Sequence, residues 1–276
     1  MTKENQEKQN GRTEGGSGKN ANRRNNDRRK NNTSFKRVNL ERKRPQLSRG
    51  ETAAAKEVPS GSRKPRRGSK AGKDPNAKLK IIPLGGLDAI GKNMTAFECN
   101  GDMILDDAGL MFPDDDHPGI DLILPDYTYV LENADKLRGI VITHGHEDHT
   151  GTLPYLLKDL DRTVNIYATK LTLGLIEGKF AEHRVKNAKL IEIKPGDEVK
   201  LGCFTVDFFA VNHSIPGAFA LAITCPIGTV VCSGDFKVDY TPIDGEVTDL
   251  TTLAAIGSKG VLALLCESTN IERPGY

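Results

Sequence analysis

The pattern of apolar and polar positions divides the chain into a long polar stretch and a segment of closely spaced structural elements. From residue 77 onward, short apolar runs alternate with turn-forming residues, a pattern typical of β-strands, while apolar residues at three- and four-residue spacing predict helices. The predicted strands are 78–84, 94–98, 103–106, 139–143, 164–168, 190–194, 198–211, 218–225, 229–232 and 261–267. The predicted helices are 126–134, 153–160, 171–182 and 248–256. Periodicity alone therefore indicates a mixed α/β fold.

Residues 1–76 lack this pattern and differ sharply in charge. They contain 22 Lys and Arg against 8 Asp and Glu, a net charge of +14, whereas the remaining 17 basic and 29 acidic residues give 77–276 a net charge of −12. So polar a segment cannot bury enough apolar surface to offset the entropy cost of ordering it. We therefore predict a disordered basic arm over 1–76.

The basic arm is suited to binding the phosphates of a nucleic acid, because each contact releases condensed counterions. An inert, solubilising extension is the alternative. We favour binding, since the rest of the chain is acidic. The residues expected to contact phosphates are Arg23, Arg24, Arg28, Arg29, Lys30, Arg63, Lys64, Arg66 and Arg67.

Three histidines and an aspartate follow the predicted strand at 139–143. His144, His146, Asp148 and His149 lie within six positions, although the whole chain contains only six histidines. Neutral imidazole nitrogens suit zinc, and a nearby carboxylate can reach a second ion. We predict a metal site at this turn.

Two later strand ends offer further ligands. His213 follows the apolar run 208–211, and Asp235 follows 229–232 after a glycine. Polar residues just past strand ends often carry function in α/β folds. Taken alone, each would be an ordinary loop residue; together with the histidine turn, both become candidate ligands.

Cysteine usage and hydropathy bear on the setting of the protein. The five cysteines are dispersed and form no Cys-x-x-Cys pair, which indicates reduced thiols and a cytoplasmic protein. No apolar run is long enough to span a membrane, and the N-terminus does not have the pattern of a secretory signal.

The His-x-His-x-Asp-His turn, followed by a distant His and a distant Asp, resembles the metallo-β-lactamase superfamily. The likeness extends from about residue 79 to 276 and is greatest to the ribonuclease J family in the β-CASP branch. The segments that carry it are 83–93, 107–113, 119–121, 143–151, 212–216, 234–237 and 267–270. Gly-Leu-Met-Phe-Pro at 109–113 and Asn-His-Ser-Ile-Pro at 212–216 narrow it to ribonuclease J. Gly217 departs from the aspartate that is common in the family.

The resemblance implies an αββα sandwich preceded by the disordered basic arm. Residues 77–276 are expected to be the N-terminal part of a metallo-β-lactamase domain. The sandwich is expected to be incomplete, with the β-CASP and C-terminal domains absent.

The resemblance also implies a pair of Zn²⁺ ions. One would be held by His144, His146 and His213, and the other by Asp148 and His149, with Asp235 bridging both. The second site is expected to be incomplete in this chain, because the family supplies a further histidine later. Asp107 would brace the turn, and it is assigned with Asp148 and Asp235 to the catalytic set.

The function implied by the resemblance is that of a zinc-dependent ribonuclease with 5′-to-3′ exonuclease and endonuclease activity in RNA maturation and decay. RNA would be the main partner, with other RNA-decay or ribosomal components and a homo-oligomeric full-length protein also expected. Two alternatives are another hydrolase of this fold, acting on a thioester, lactone or β-lactam, and an inactive RNA-binding fragment.

Overall fold

The computed structural model describes residues 77–243 and 245–274, which form two packed β-sheets with helices outside them. The basic arm, including its nine proposed RNA-binding residues, lies outside the described residues. The strands are β1 (Leu79–Gly85), β2 (Met94–Cys99), β3 (Asp102–Asp106), β4 (Leu137–Val141), β5 (Val164–Ala168), β6 (Ala188–Glu192), β7 (Glu198–Leu201), β8 (Phe204–Ala210), β9 (Phe219–Thr224), β10 (Thr229–Cys232) and β11 (Ala263–Leu265). The helices are α1 (Thr128–Glu132), α2 (Glu147–Thr150), α3 (Leu153–Asp159), α4 (Lys170–His183) and α5 (Leu250–Ser258), with a 3-10 turn at Ala134–Lys136. None of the helices in this part of the chain is long and apolar enough to cross a membrane.

The first sheet has its six strands in sequence order, β1 to β6. Strands β1, β2 and β3 form an antiparallel meander, and β3 to β6 run parallel to one another. Parallel strands end at the same edge of a sheet, so the residues that follow β3 and β4 are brought together there. This edge carries the candidate site.

The second sheet has the order β11-β10-β9-β8-β7. Its strands are antiparallel except for the parallel pair β10 and β11. Side chains alternate between its faces: Phe208 and Leu221 point into the space between the sheets, whereas Phe209 and Ala220 point outward. Because both faces of this sheet are covered, successive positions of β9 are apolar and buried.

Three apolar clusters lie between the layers of the fold. The central cluster joins the two sheets through residues such as Phe97 and Phe208. On the outer side of the first sheet, Leu105 and Ile140 belong to a cluster with residues of α3 and α4. On the outer side of the second sheet, a smaller cluster packs against Leu253 and Ile256 of α5. The predicted αββα arrangement is confirmed.

Two predicted elements are broken in the structure, most of the others shift by one or two residues at an end, and the short helix α2 lies within the predicted metal turn. The predicted strand 198–211 is a hairpin, β7 and β8, because Gly202 turns the chain at φ 62°. The predicted helix 126–134 is reduced to α1, which ends at Glu132 because the next residue, Asn133, has a φ of −118°. Both breaks lie within segments whose composition fits a continuous element.

Candidate metal centre

Four strand ends deliver the candidate ligands to one edge of the sandwich. Asp107 follows β3, the histidine turn follows β4, His213 follows β8, and Asp235 follows β10. A backbone bond from Phe219 N to Thr143 O, 3.2 Å long, joins the second sheet to the start of the turn. The two sheets therefore contribute candidate ligands to a shared site.

Three imidazoles from the two sheets form the histidine triad: His144, His146 and His213. The Nδ1 atom of His146 lies 3.1 Å from His144 Nε2 and 3.2 Å from His213 Nε2. Nitrogens bound tetrahedrally to zinc at 2.0–2.1 Å would lie about 3.3 Å apart. The triad thus has close to the spacing that a bound ion requires.

A second set of candidate ligands, the carboxylate group, consists of Asp148, His149 and Asp235. His149 Nε2 is 3.5 Å from Asp148 Oδ2 and 3.4 Å from Asp235 Oδ1. The other oxygen of Asp235, Oδ2, lies 3.6 Å from His213 Nε2. Asp235 therefore faces both sets with different oxygens.

The described residues contain two trios of possible ligand atoms that lie within 4.8 Å of one another. One is the histidine triad, and the other combines His144, His149 and Asp235. Asp148 belongs to neither trio, although it contacts His149. This convergence of imidazole and carboxylate groups fits metal binding.

Asp107 and Thr143 brace the turn from below. Asp107 Oδ1 accepts hydrogen bonds from the amide and the hydroxyl of Thr143, at 2.8 and 3.1 Å, and Asp107 Oδ2 lies 2.7 Å from His149 Nδ1. The Thr143 hydroxyl also lies 3.0 Å from His144 Nδ1. These contacts occupy the Nδ1 atoms and direct Nε2 of both histidines toward the candidate metal positions. Asp107 has φ 60°, a strained conformation that the surrounding contacts maintain.

Burial and neighbouring charge give the histidines opposite protonation tendencies. Burial, followed by the charge of nearby His149, lowers the pKa of His144, and burial lowers the pKa of His213. Burial acts to lower the pKa of His149 as well, but Asp107, Asp148 and Asp235 outweigh it and raise that pKa well above 6.5. In Asp235, the contact with His149 outweighs burial and lowers the pKa to about 2.

Asp106 is a buried carboxyl group next to this site. Burial, with the neighbouring charge of Asp107, raises the pKa of Asp106 to about 8. Its Oδ1 atom has no hydrogen-bond partner among the described residues. The Asp106 side chain is therefore mainly protonated and neutral at pH 7.

Gly109 lets the loop after β3 pass directly against the metal turn. A Cβ at Gly109 would lie 1.4 Å from the carbonyl oxygen of Asp148, so no other residue fits. Gly109 N donates to Asn93 O at 2.8 Å, and Asn93 N donates to Asp148 O at 3.1 Å. These two backbone hydrogen bonds fix the histidine turn relative to the loop between β1 and β2.

An open cavity of about 430 Å³ borders the carboxylate group. Its lining includes His149, Asp235, Asn93 and Glu267. Glu267 Oε1 accepts from Phe236 N at 3.2 Å and so holds the loop that carries Asp235. This opening exposes the site to a ligand from solvent.

Sequence reasoning did not single out Thr143, Asn93 or Glu267 as site residues, although all three lie in segments that carry the family resemblance. Thr143 immediately precedes the histidine turn, and its position at a strand end was the one available signal. The side chains of Asn93 and Glu267 reach the site from distant loops, so spacing within the chain gives no indication of their contacts.

The chain is similar to proteins that are already known. The model of the beta-lactamase superfamily domain matches residues 117–261. The chain is 46% identical to ribonuclease J of Thermus thermophilus, an alignment that covers 77% of this chain and 38% of that protein. It is 49% identical to ribonuclease J of Synechocystis sp., over 71% of this chain and 31% of that protein. The chain thus spans about a third of the length of these curated relatives. Among solved structures, the metallo-beta-lactamase fold protein YhfI from Bacillus subtilis matches with a TM-score of 0.42 and 20% identity, over 58% of this chain and 62% of that chain.

Proposed function

Because this chain belongs to the β-lactamase superfamily and, within it, to the ribonuclease J family, we propose that it hydrolyses RNA phosphodiester bonds with two zinc ions. The observation that carries the proposal is Asp235, whose two oxygens face His149 and His213. A carboxylate in this position fits a ligand shared by two adjacent ions. In the proposal, the histidine triad holds one ion, and Asp148 and His149 hold the other.

A bound pair of zinc ions would lower the pKa of a water molecule and offset the negative charge that builds on the phosphate during its displacement. The protein's own residues have separate tasks. Asp107 and Thr143 orient the imidazoles of His144 and His149, and the two faces of Asp235 keep both ligand sets close together. The cavity beside the carboxylate group gives a phosphodiester access to this edge.

We propose that the substrate is RNA in the cytoplasm, and that cleavage is both exonucleolytic and endonucleolytic.

The basic arm has a distinct role in the proposal. With a net charge of +14 over 1–76, the basic arm would tether RNA close to an acidic domain. Removal of 1–76 is expected to weaken RNA binding and to reduce its dependence on salt concentration. Equal binding at every salt concentration would instead make the arm an inert extension.

The activity is tested by incubating the zinc-loaded protein with 5′-monophosphorylated and 5′-triphosphorylated RNA and resolving the products. Zinc-dependent cleavage that is lost on chelation supports the proposal. The Thermus thermophilus relative serves as a reference, and nitrocefin and an acyl thioester are assayed in parallel. Turnover of either small substrate without RNA cleavage would assign the site to a different hydrolase. RNA binding without turnover of any substrate would make the chain a binding module.

A further inference from the structure

The side chain of Asn93 reaches the carboxylate group from the loop between β1 and β2. Its Nδ2 atom lies 3.0 Å from His149 Nε2 and 3.3 Å from Asp148 Oδ2. Those two atoms are themselves 3.5 Å apart. The three atoms therefore form a nearly equilateral triangle whose edges match the separation of about 3.3 Å between ligands of a tetrahedral zinc ion.

This triangle gives the terminal atom of Asn93 the position of a ligand. An amide presents either a nitrogen or an oxygen at nearly the same place, since a half turn about its last bond exchanges the two. An N–H group cannot bind a cation, whereas an amide oxygen can. A bound ion therefore requires the orientation with Oδ1 toward His149 and Asp148.

The surroundings of Asn93 permit this half turn. Within residues 77–243 and 245–274, Asn93 Oδ1 accepts no hydrogen bond, so the half turn gives up only the contacts of Nδ2 with Asp148 and His149, which a bound ion would replace. Gly86 lies beside the amide, and a Cβ there would be 2.7 Å from Asn93 Oδ1. The backbone of Asn93 stays in place, because its N–H bonds to Asp148 O and its carbonyl accepts from Gly109 N.

We propose that Asn93 is an additional oxygen ligand of the ion held by Asp148 and His149, so that the loop between β1 and β2 adds a ligand to those of the histidine turn. This inference rests on the proposed function, since it presupposes that a metal ion binds there. It goes beyond it by assigning to that ion a residue outside the histidine turn and the two later strand ends.

The test is a titration of the metal-free chain with Zn²⁺ against a chromophoric chelator, with bound metal counted by elemental analysis. Asn93→Ala is expected to bind the second ion on the order of tenfold or more weakly, while the ion at the histidine triad is retained. Asn93→Asp, which keeps a ligand oxygen but has no N–H to donate, is expected to bind the second ion at least as tightly as the wild type. With Co²⁺, the visible spectrum of Asn93→Ala should change, whereas that of Asn93→Asp should stay close to that of the wild type.

Glu147→Gln is the matched control, because Glu147 lies beside Asp148 but forms its ion pair with Lys179. Circular dichroism and thermal unfolding of the metal-free variants check that each one folds. If Asn93→Ala binds both ions with wild-type affinity, the inference is wrong. If Asn93→Asp loses as much affinity as Asn93→Ala, Asn93 acts only by donating to Asp148, and the inference is again overturned. Failure of the wild-type chain to bind a second ion would instead refute the two-zinc proposal itself.

Discussion

The histidine triad and the carboxylate group lie side by side, but they are organised by different forces. In the triad, burial keeps His144 and His213 neutral, so that bare nitrogens converge before any ion arrives. In the carboxylate group, Asp107 and the two ligand carboxylates surround His149 and favour its protonated form. Without an ion, one set presents neutral imidazoles, whereas the other holds a protonated imidazole that would have to lose its proton before a metal ion could bind.

This difference implies an order of loading. Neutral imidazoles lose little when they bind an ion, so the triad should fill first. The carboxylate group must release a proton, and Asp148 is in neither trio of closely spaced ligand atoms. The second ion should therefore bind more weakly, and its affinity should depend on residues that hold His149 and Asp148 in place.

Removal of the shared nitrogen should have the largest effect on the comparison. His146 Nδ1 makes both short contacts of the triad, so His146→Ala should cost more than about a hundredfold in affinity for the first ion, beyond the loss expected for an outer partner. Elemental analysis should find most of the zinc lost, and RNA cleavage should cease. Glu147→Gln is again the control. An unchanged zinc content in His146→Ala would contradict the assignment of the triad.

Disruption of the backbone contacts at Gly109 should displace the carboxylate group more than the histidine triad. In Gly109→Ala, the new Cβ meets the carbonyl of Asp148. We expect the free energy of unfolding to fall by at least about 1–3 kcal/mol and the second ion to be lost. Denaturant unfolding and metal counting measure the two effects. Gly178→Ala, at an open position within α4, is the matched control and should stabilise the chain by about 0.5–1 kcal/mol. If both variants behave alike, the close passage at Gly109 is not important.

Neutralisation of Asp107 should affect the two candidate ligand sets to different extents. Asp107→Asn keeps the size of the side chain but removes the charge that holds His149 Nδ1. We expect affinity for the second ion to fall by about 10- to 100-fold, with a smaller change at the triad. The exposed Asp161→Asn is the control in the same zinc titration. Equal losses at both ions would show that the brace supports the whole turn.

The smallest effect concerns protons. The raised pKa of His149 means that the metal-free site holds a proton near neutral pH, and an ion bound at Nε2 must expel it. Close to one proton should be released when the second ion binds at pH 7. The affinity for that ion should rise with pH until His149 is neutral in the metal-free protein. Calorimetry in buffers of different ionisation enthalpy counts this proton. Binding of the first ion at the histidine triad should release almost no protons. Equal proton release on binding of each ion would show that the two sets do not differ in protonation.

The sequence predicted the local part of this arrangement better than the distant part. The histidine turn could be identified because its residues lie within six positions after an apolar strand. The layered fold came from the family resemblance, since periodicity indicated only alternating strands and helices. The contacts of Asp107 with Thr143 and of Asn93 with His149 span 36 and 56 positions, and they depend on strand order and loop path. The turn at Gly202 was missed because the apolar pattern continues through it.

The contact between His146 and His213 has a consequence for how the protein folds. It joins residues 67 positions apart that belong to opposite sheets, so the triad cannot exist until the sheets have docked. A metal ion at the triad would act as a cross-link across the sandwich and would stabilise only the docked state. At a free concentration a thousand times its dissociation constant, such an ion would contribute about 4 kcal/mol. Metal supply would then set how often the two halves of the sandwich separate, and hence the lifetime of the folded chain.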